Sequence, residues 1–191
     1  MKRFTTFAAL FIAISFLQVK SQDTAPKGFS KGSVTLADNT EIPGYIKDNI
    51  RSKAAVVLVP ATGGKKITYD GDKLNYATIE GIKYFCIKGD FFKTVCDGEL
   101  SFLQKASDAS SKPVYIGSEA MFINGTEGRP GDYFIFDKPQ HLLTLVNNKN
   151  VADVTAQLFK NCQAAIARAK ETGNDIALLK DAVVIYNNRN K

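Results

Sequence analysis

The order of patterns along the chain predicts an α+β fold, in which an antiparallel β-sheet or a partly closed barrel precedes two or three helices. Short runs of β-branched and aromatic residues, separated by turn signals, occupy about residues 28–146. After Asn147 the apolar residues change to the three-to-four spacing of a helix. The strands therefore come first and the helices last, which argues against a parallel βαβ arrangement.

The N-terminus has the three parts of a secretory signal peptide. Lys2 and Arg3 precede an apolar stretch at 4–17, and Val19-Lys20-Ser21 places a small residue before a cleavage point. This stretch is too short for a comfortable transmembrane helix. We expect cleavage after Ser21, and a buried N-terminal helix is the alternative.

These boundaries divide the chain into a signal peptide at 1–21, a loose leader at 22–27 and a single α+β domain at 28–191. No integral membrane span is expected in the mature chain. The predicted localisation is exported, either periplasmic or extracellular and surface-associated.

The charge of the mature chain is modest. The whole sequence carries 25 basic and 19 acidic residues, a net charge of +6. Three basic residues and no acidic ones leave with the signal peptide, so 22 basic residues remain and the net charge falls to +3. The largest basic cluster is Lys65-Lys66, which is too small to follow a phosphate backbone. We therefore expect no nucleic-acid partner.

The first strands are predicted as a hairpin. Ser33–Leu36 and Glu41–Ile46 flank a turn at Asp38-Asn39. Pro43 has no N–H for a ladder, so the second strand is expected at a sheet edge or at a bulge. The continuous apolar run Ala54–Val59 is typical of a strand buried on both faces.

The middle of the chain has the strongest strand signals. Ile82–Ile87 and Phe91–Val95 flank a turn at Lys88-Gly89-Asp90, and Asp97-Gly98 turns into Glu99–Leu103. Further strands are predicted at Lys66–Tyr69, Val114–Ile116, Met121–Ile123 and Tyr133–Phe136, and Leu142–Val146 fits a strand or a helix.

The helical region is predicted to begin at Asn150, which is expected to serve as its N-cap. Its apolar spacing runs to Gly173 and fits one helix, or two with a break near Asn161-Cys162. Asn174 is expected to cap a last helix, whose apolar residues Ile176, Leu179, Val183 and Tyr186 share one face.

The motifs do not assign any catalytic, cofactor-binding or metal-binding residue. Nucleophile–histidine–acid catalysis would have to use the only histidine, His141, which follows Pro139-Gln140 at a strand edge. Gly63-Gly64-Lys65-Lys66 lacks the spacing of a phosphate-binding loop, and Asp70-x-Asp72 lacks the rest of a calcium loop. We expect no cofactor. The sequon at 124–126 has meaning only in a eukaryotic secretory pathway.

The three cysteines lie in apolar surroundings. Cys86, Cys96 and Cys162 are an odd number, so at least one is unpaired even if export permits disulfides. We favour buried thiols, and a Cys86–Cys96 bridge within one hairpin is the alternative.

Four segments carry a resemblance to a known group of proteins. They are Pro26–Phe29, Gly44–Ile46, Phe92–Leu103 and Val184–Asn187. Together they resemble a group of exported Bacteroidota proteins of unknown function. The resemblance implies export from a Gram-negative cell and carries over no catalytic residue. Cys96 departs from it, since an aliphatic residue is expected there.

Two function classes follow from these observations. The favoured one is a non-enzymatic periplasmic or surface-associated module with a binding or structural role, whose partner is a cell-envelope protein or a ligand. The alternative is a hydrolase-type enzyme that uses scattered carboxylate, Tyr or Lys groups. A pocket with convergent polar groups and perturbed titrations would favour the enzyme.

Overall fold

The computed structural model describes residues 25–110, 114–116, 119–121 and 125–189. The predicted signal peptide, the leader up to residue 24 and Asn124 of the sequon lie outside these ranges. The α+β class is confirmed, because ten antiparallel strands form one sheet and helices follow it. In chain order its strands are β1 Ser30–Leu36, β2 Glu41–Asn49, β3 Ala55–Pro60, β4 Ile67–Asp70, β5 Leu74–Ile79, β6 Ile82–Ile87, β7 Asp90–Cys96, β8 Leu100–Lys105, β11 Tyr133–Asp137 and β12 Leu142–Val146. Two short strands, β9 Val114–Ile116 and β10 Glu119–Met121, form a separate hairpin.

The strands follow one another across the sheet in the order β12-β11-β8-β7-β6-β5-β1-β2-β3-β4. The sheet is open, with β12 and β4 at its two edges. Leu142–Val146, which fitted a strand or a helix by sequence, is the edge strand β12. Of the predicted strand at Met121–Ile123, Met121 belongs to β10, and residues 122–123 lie outside the described ranges.

Two elements of the first half were not predicted. β5 pairs with β1 on one side and β6 on the other, and a four-residue helix, α1 Ile50–Lys53, joins β2 to β3. The turn between β5 and β6 is Glu80-Gly81, with φ angles of 51° and 80°. The Lys88-Gly89 turn has nearly the same angles, 50° and 83°. Both are tight hairpin turns that need positive φ at two residues.

The position of Pro43 corrects the expectation for β2. This strand is internal, between β1 and β3, rather than at an edge. β3 ends at Pro60, opposite Gly44, and the Pro43 carbonyl accepts a hydrogen bond from the Ala61 N–H at 2.9 Å. Pro43 is tolerated because the side of it that lacks a donor lies beyond the end of the neighbouring strand.

The run Ala54–Val59 is buried less uniformly than predicted. Val56 and Leu58 are fully buried, whereas Val57 and Val59 on the other face are only half-buried. Ala54 ends α1 with a φ of 44° and is not part of the strand. A continuous apolar run did not distinguish burial on one face from burial on two.

Three longer helices follow the sheet: α2 Val151–Leu158, α3 Gln163–Lys170 and α4 Leu179–Asn187. Of the two alternatives for this region, the structure has the two helices with a break near Asn161-Cys162. Within the described part of the chain, no helix is long and apolar enough to cross a bilayer.

The helix caps differ from those predicted. Asn150 precedes α2 but makes no side-chain cap. Its side chain instead accepts from the Asn147 N–H at 2.8 Å and donates to the Leu145 carbonyl at 2.8 Å, which holds the turn after β12. Before α4 it is Asp175, not Asn174, whose carboxylate accepts a backbone N–H, that of Ala177 at 3.0 Å.

The apolar interior divides into three clusters. The first joins one face of β8, β11 and β12 to the helices, with Phe102, Ile135, Phe159, Leu179 and Val183 at its centre. The second lies within the β1–β7 half and contains Val34, Ile46, Val56, Leu58 and Phe91. Because it joins side chains of β2 and β3 to those of β6 and β7, the sheet must curl in this half. The third, with Phe92, Leu103 and Phe134, lies on the face opposite the helices.

Candidate functional site

A polar cleft lies between the first two clusters, on the same face of the sheet as the helices. Tyr84 of β6, Lys93 of β7 and Gln104 of β8 are register partners across three adjacent strands and therefore share a face. The end of β2 and α1 faces this row and adds Asp48 and Arg51. The cleft has a volume of about 300 Å³, and Ala106, Pro130 and Gly131 close its far side.

Two cationic side chains, Arg51 and Lys93, line this cleft. Arg51 and Lys93 are exposed, and within the described residues no carboxylate forms an ion pair with either. Asp48 is the one carboxylate that lines the cleft in the described structure. It accepts the Ile50 N–H at 2.8 Å and so is already used in part to start α1. The cleft therefore presents unneutralised positive charge.

Tyr84 contributes a neutral hydroxyl. The side chain is half-buried, and burial, together with the nearby negative charge of Asp48, raises the pKa of its phenol. The hydroxyl stays protonated at physiological pH and can donate a hydrogen bond. Gln104 is held in place because its side-chain amide donates to the Gly131 carbonyl at 3.2 Å.

A buried ion pair lies on the other face of the same strands. Lys105 Nζ is 3.1 Å from Asp90 Oδ2, and both side chains are 0% exposed. The ammonium also donates to the carbonyls of Thr126 at 2.8 Å, Glu127 at 3.3 Å and Gly128 at 3.1 Å.

The Asp90 carboxylate is equally well satisfied. It accepts from Ser107 Oγ at 3.1 Å and from the Ala109 N–H at 2.7 Å. It also accepts from the Thr126 N–H at 2.7 Å and from Thr126 Oγ1 at 2.8 Å. Since these bonds all go to the protein itself, the pair anchors the connection between β8 and β11.

The motifs weighed in the sequence do not come together in the structure. His141 is an exposed residue of the β11–β12 turn, with a φ of 52°. Gly63-Gly64-Lys65-Lys66 is an exposed loop between β3 and β4. Asp70 ends β4, and Asp72 lies in a short 3₁₀ turn. Among the described residues no group of three or more His, Cys, Asp or Glu side chains could hold a metal ion.

The cysteines are free thiols. The hairpin register pairs Cys86 with Phe91, and Cys96 pairs with Phe102 of β8, so the two thiols lie at opposite ends of their hairpin. A disulfide requires Cα atoms within about 7 Å of each other, and this register separates them by several residues of extended chain. Burial raises the pKa of both Cys86 and Cys96.

Sequence reasoning missed every residue of the cleft. Asp48, Arg51, Tyr84, Lys93 and Gln104 come from four strands and one short helix, and none belongs to a recognisable motif. The register of β6, β7 and β8 could have placed Tyr84, Lys93 and Gln104 in one row. The approach of α1 to that row depends on the curl of the sheet, for which the sequence gives no signal.

Comparison with known proteins identified no relative of this chain. No family model matches the chain, and no curated protein or solved structure does so at the significance required.

Proposed function

We propose that this protein is a non-enzymatic, exported binding module of the cell envelope that holds a small anionic ligand in the polar cleft. The observation that carries the proposal is the pair of cations, Arg51 and Lys93, that line one cleft without a carboxylate partner in the described structure. Charge-assisted hydrogen bonds to carboxylate or phosphate oxygens are stronger than neutral ones. An anion would give both cations the partner they lack.

The size and lining of the cleft support a small, polar ligand. A volume of about 300 Å³ is at the lower end of the range for small-molecule pockets, about 300–1,000 Å³. The Arg51 guanidinium can bind two oxygens at once, Lys93 supplies a point charge, and the Tyr84 hydroxyl donates one further bond. Asp48 also lines the cleft and would repel an anion placed directly against it.

The state of the titratable groups favours binding over acid–base catalysis. The raised pKa of Tyr84 makes it a donor and not a base, since its phenolate is disfavoured. Asp48 is exposed and already accepts the backbone N–H of Ile50 at the start of α1. Export and a cell-envelope location rest on the sequence of residues 1–21 and on the resemblance to exported proteins.

Titration calorimetry of the purified protein with inorganic phosphate and with succinate tests the proposal. We expect saturable binding of at least one of them, and none of the neutral analogue succinamide. Arg51→Gln and Lys93→Gln should each weaken binding about tenfold or more, because each removes a charge-assisted bond of about 1.5–3 kcal/mol. Tyr84→Phe should have a smaller effect.

Lys53→Gln is the matched control. Lys53 lies two residues from Arg51 on α1, is exposed, and does not line the cleft. If Lys53→Gln weakens binding as much as Arg51→Gln, the anion responds to general surface charge and the cleft is not the site. Absence of binding by both anions, or turnover of an ester or amide substrate that Tyr84→Phe abolishes, would also contradict the proposal.

A further inference from the structure

A second cavity lies on the face of the sheet opposite the helices and is lined by residues of the β6–β7 turn and of the start of β12. Its volume is about 350 Å³. The connection between β8 and β11 forms one wall through Gly125, Thr126 and Glu127. None of its lining residues lines the polar cleft, so it is an independent site.

The floor of this cavity is apolar. Ile87 and Leu143 are half-buried and point to this face of the sheet, so both present accessible carbon surface. Phe134 lies beneath them and is fully buried. A ligand that covers this floor must carry an apolar group of its own, since removal of such surface from water is the main gain available here.

The rim of the cavity carries both signs of charge. Lys88 and Glu127 are exposed, and His141 also lines the cavity, just before β12 begins. In the described structure neither Lys88 nor Glu127 forms a side-chain ion pair. The rim can therefore receive one anionic and one cationic group of the same ligand.

The wall of the cavity is fixed by the buried ion pair. Asp90 binds the N–H and the hydroxyl of Thr126, and Lys105 binds the carbonyls of residues 126 to 128. Burial of two charges stabilises a fold little compared with apolar packing of the same volume. What the pair does supply is a single backbone position for Thr126 and Glu127, which makes the wall ready for a ligand before it binds.

We propose that this cavity binds a free α-amino acid with a branched aliphatic or aromatic side chain. The ligand carboxylate lies against Lys88, its ammonium group against Glu127, and its side chain on Ile87 and Leu143. Each of the three ligand parts meets the chemistry that complements it. A cavity of about 350 Å³ suits a ligand of this size.

The test is titration calorimetry with L-leucine and L-phenylalanine, and with three compounds that each lack one part of the ligand. Glycine lacks the side chain, 4-methylpentanoate lacks the ammonium group and 3-methylbutylamine lacks the carboxylate. We expect saturable binding of leucine or phenylalanine and at least tenfold weaker binding of all three partial compounds. Equal binding of 4-methylpentanoate and leucine would overturn the role of Glu127 and with it the proposal. Absence of binding by both amino acids would do the same.

Two substitutions locate the site. Glu127→Gln and Lys88→Asn should each weaken leucine binding about tenfold, the loss expected for one charge-assisted bond. Asparagine tolerates the left-handed φ of 50° at residue 88, so the turn is kept. Glu80→Asn is the matched control, because Glu80 has a φ of 51° in the equivalent position of another hairpin turn.

Comparison across these variants separates this proposal from the one for the polar cleft. Arg51→Gln should leave leucine binding unchanged, and Lys88→Asn should leave phosphate binding unchanged. Equal loss of leucine binding in Glu80→Asn and Lys88→Asn, with unchanged melting temperatures, would show that the amino acid binds elsewhere.

Discussion

The two faces of the central strands β7, β8 and β11 are covered by different kinds of structure. Helix α4 covers one face, and apolar side chains such as Phe102, Leu179 and Val183 form the contact, while α3 packs against α4. Described parts of the connection between β8 and β11 cover the other face, and this connection is irregular around its short hairpin. Gly128 lies directly on the ring of Phe134 there, where a Cβ atom would come within 3.1 Å of the ring.

The difference follows from backbone hydrogen bonding. A helix satisfies its own N–H and C=O groups, so it can cover a sheet with carbon alone. An irregular segment cannot, and its buried polar groups need partners from elsewhere. Asp90 supplies acceptors for the N–H groups of Ala109 and Thr126, and Lys105 supplies donors for three carbonyls. The buried ion pair is the consequence of covering a sheet with a loop.

The largest loss of stability is therefore expected on the face that the β8–β11 connection covers. Asp90→Ala leaves the buried Lys105 ammonium without a carboxylate and two backbone N–H groups without acceptors. We expect a loss of about 3–5 kcal/mol in the free energy of unfolding, the cost of breaking a buried pair. Urea denaturation of the variant beside the parent measures it.

The control for this experiment is an exposed pair. Arg168 and Glu171 are 2.8 Å apart on the surface of α3, and Glu171→Ala should cost less than about 1 kcal/mol. A loss in Asp90→Ala no larger than that in Glu171→Ala would mean that the connection is held by its apolar contacts.

A smaller loss of stability is expected on the face that the helices cover. Val183 of α4 is 0% exposed in the first cluster, and Val183→Ala removes two methyl groups from the helix–sheet contact. We expect a loss of about 1–3 kcal/mol, in the range of other large-to-small core changes. Val184 is the next residue on the same helix and is 38% exposed, so Val184→Ala should stay within about 0.5 kcal/mol. Equal losses for the two variants would show that α4 does not pack as described.

The exposed Asp97 sharpens the contrast with the buried Asp90. Although burial would raise it, the hydrogen bonds from Lys138 and Ser101 and the charges of Lys138 and Lys83 hold the pKa of Asp97 below its ordinary value. Lys138 Nζ is 2.5 Å and Lys83 Nζ 3.4 Å from its carboxylate, whose side chain is 36% exposed. Solvent screening therefore limits the contribution to less than about 1 kcal/mol.

The pH dependence of Asp97 has a definite sign. A depressed pKa stabilises the fold above the unfolded value of about 3.9, and this stabilisation is lost as the pH falls through the folded pKa. Asp97→Asn should be slightly less stable than the parent at pH 7 and indistinguishable from it near pH 2. Denaturation curves at both values, with and without about 1 M salt, check this. A difference that persists at pH 2 would have another origin than the charge.

No effect is expected from reduction. The three cysteines are free, so a reductant should leave the melting temperature unchanged, whereas loss of a native disulfide costs about 2–5 kcal/mol. Because burial raises the pKa of the Cys86 and Cys96 thiols, both should also react slowly with an alkylating reagent at neutral pH. A fall of several degrees on reduction would contradict the structure at these residues.

Much of the fold could be read from local patterns. Alternating apolar residues and Asp-Gly or Lys-Gly turns placed most of the strands, and the three-to-four spacing placed the helices and the break before Gln163. β5 was missed because Leu74–Ile79 carries Asn75 and Thr78 between its apolar residues and offers no uniform pattern. The matching turns Glu80-Gly81 and Lys88-Gly89 were the available signal, since each requires a strand on both sides.

The sequence by itself determined the α+β class and the order of strands before helices, because side-chain periodicity and turn chemistry act between near neighbours in the chain. Only the tertiary structure decided how far the sheet curls, which brought Asp48 and Arg51 to the row of Tyr84, Lys93 and Gln104. It also decided that Lys105, in an apolar strand, would pair with Asp90 inside the protein. These contacts depend on which segment covers which face of the sheet, and that choice is made by the packing of the whole chain.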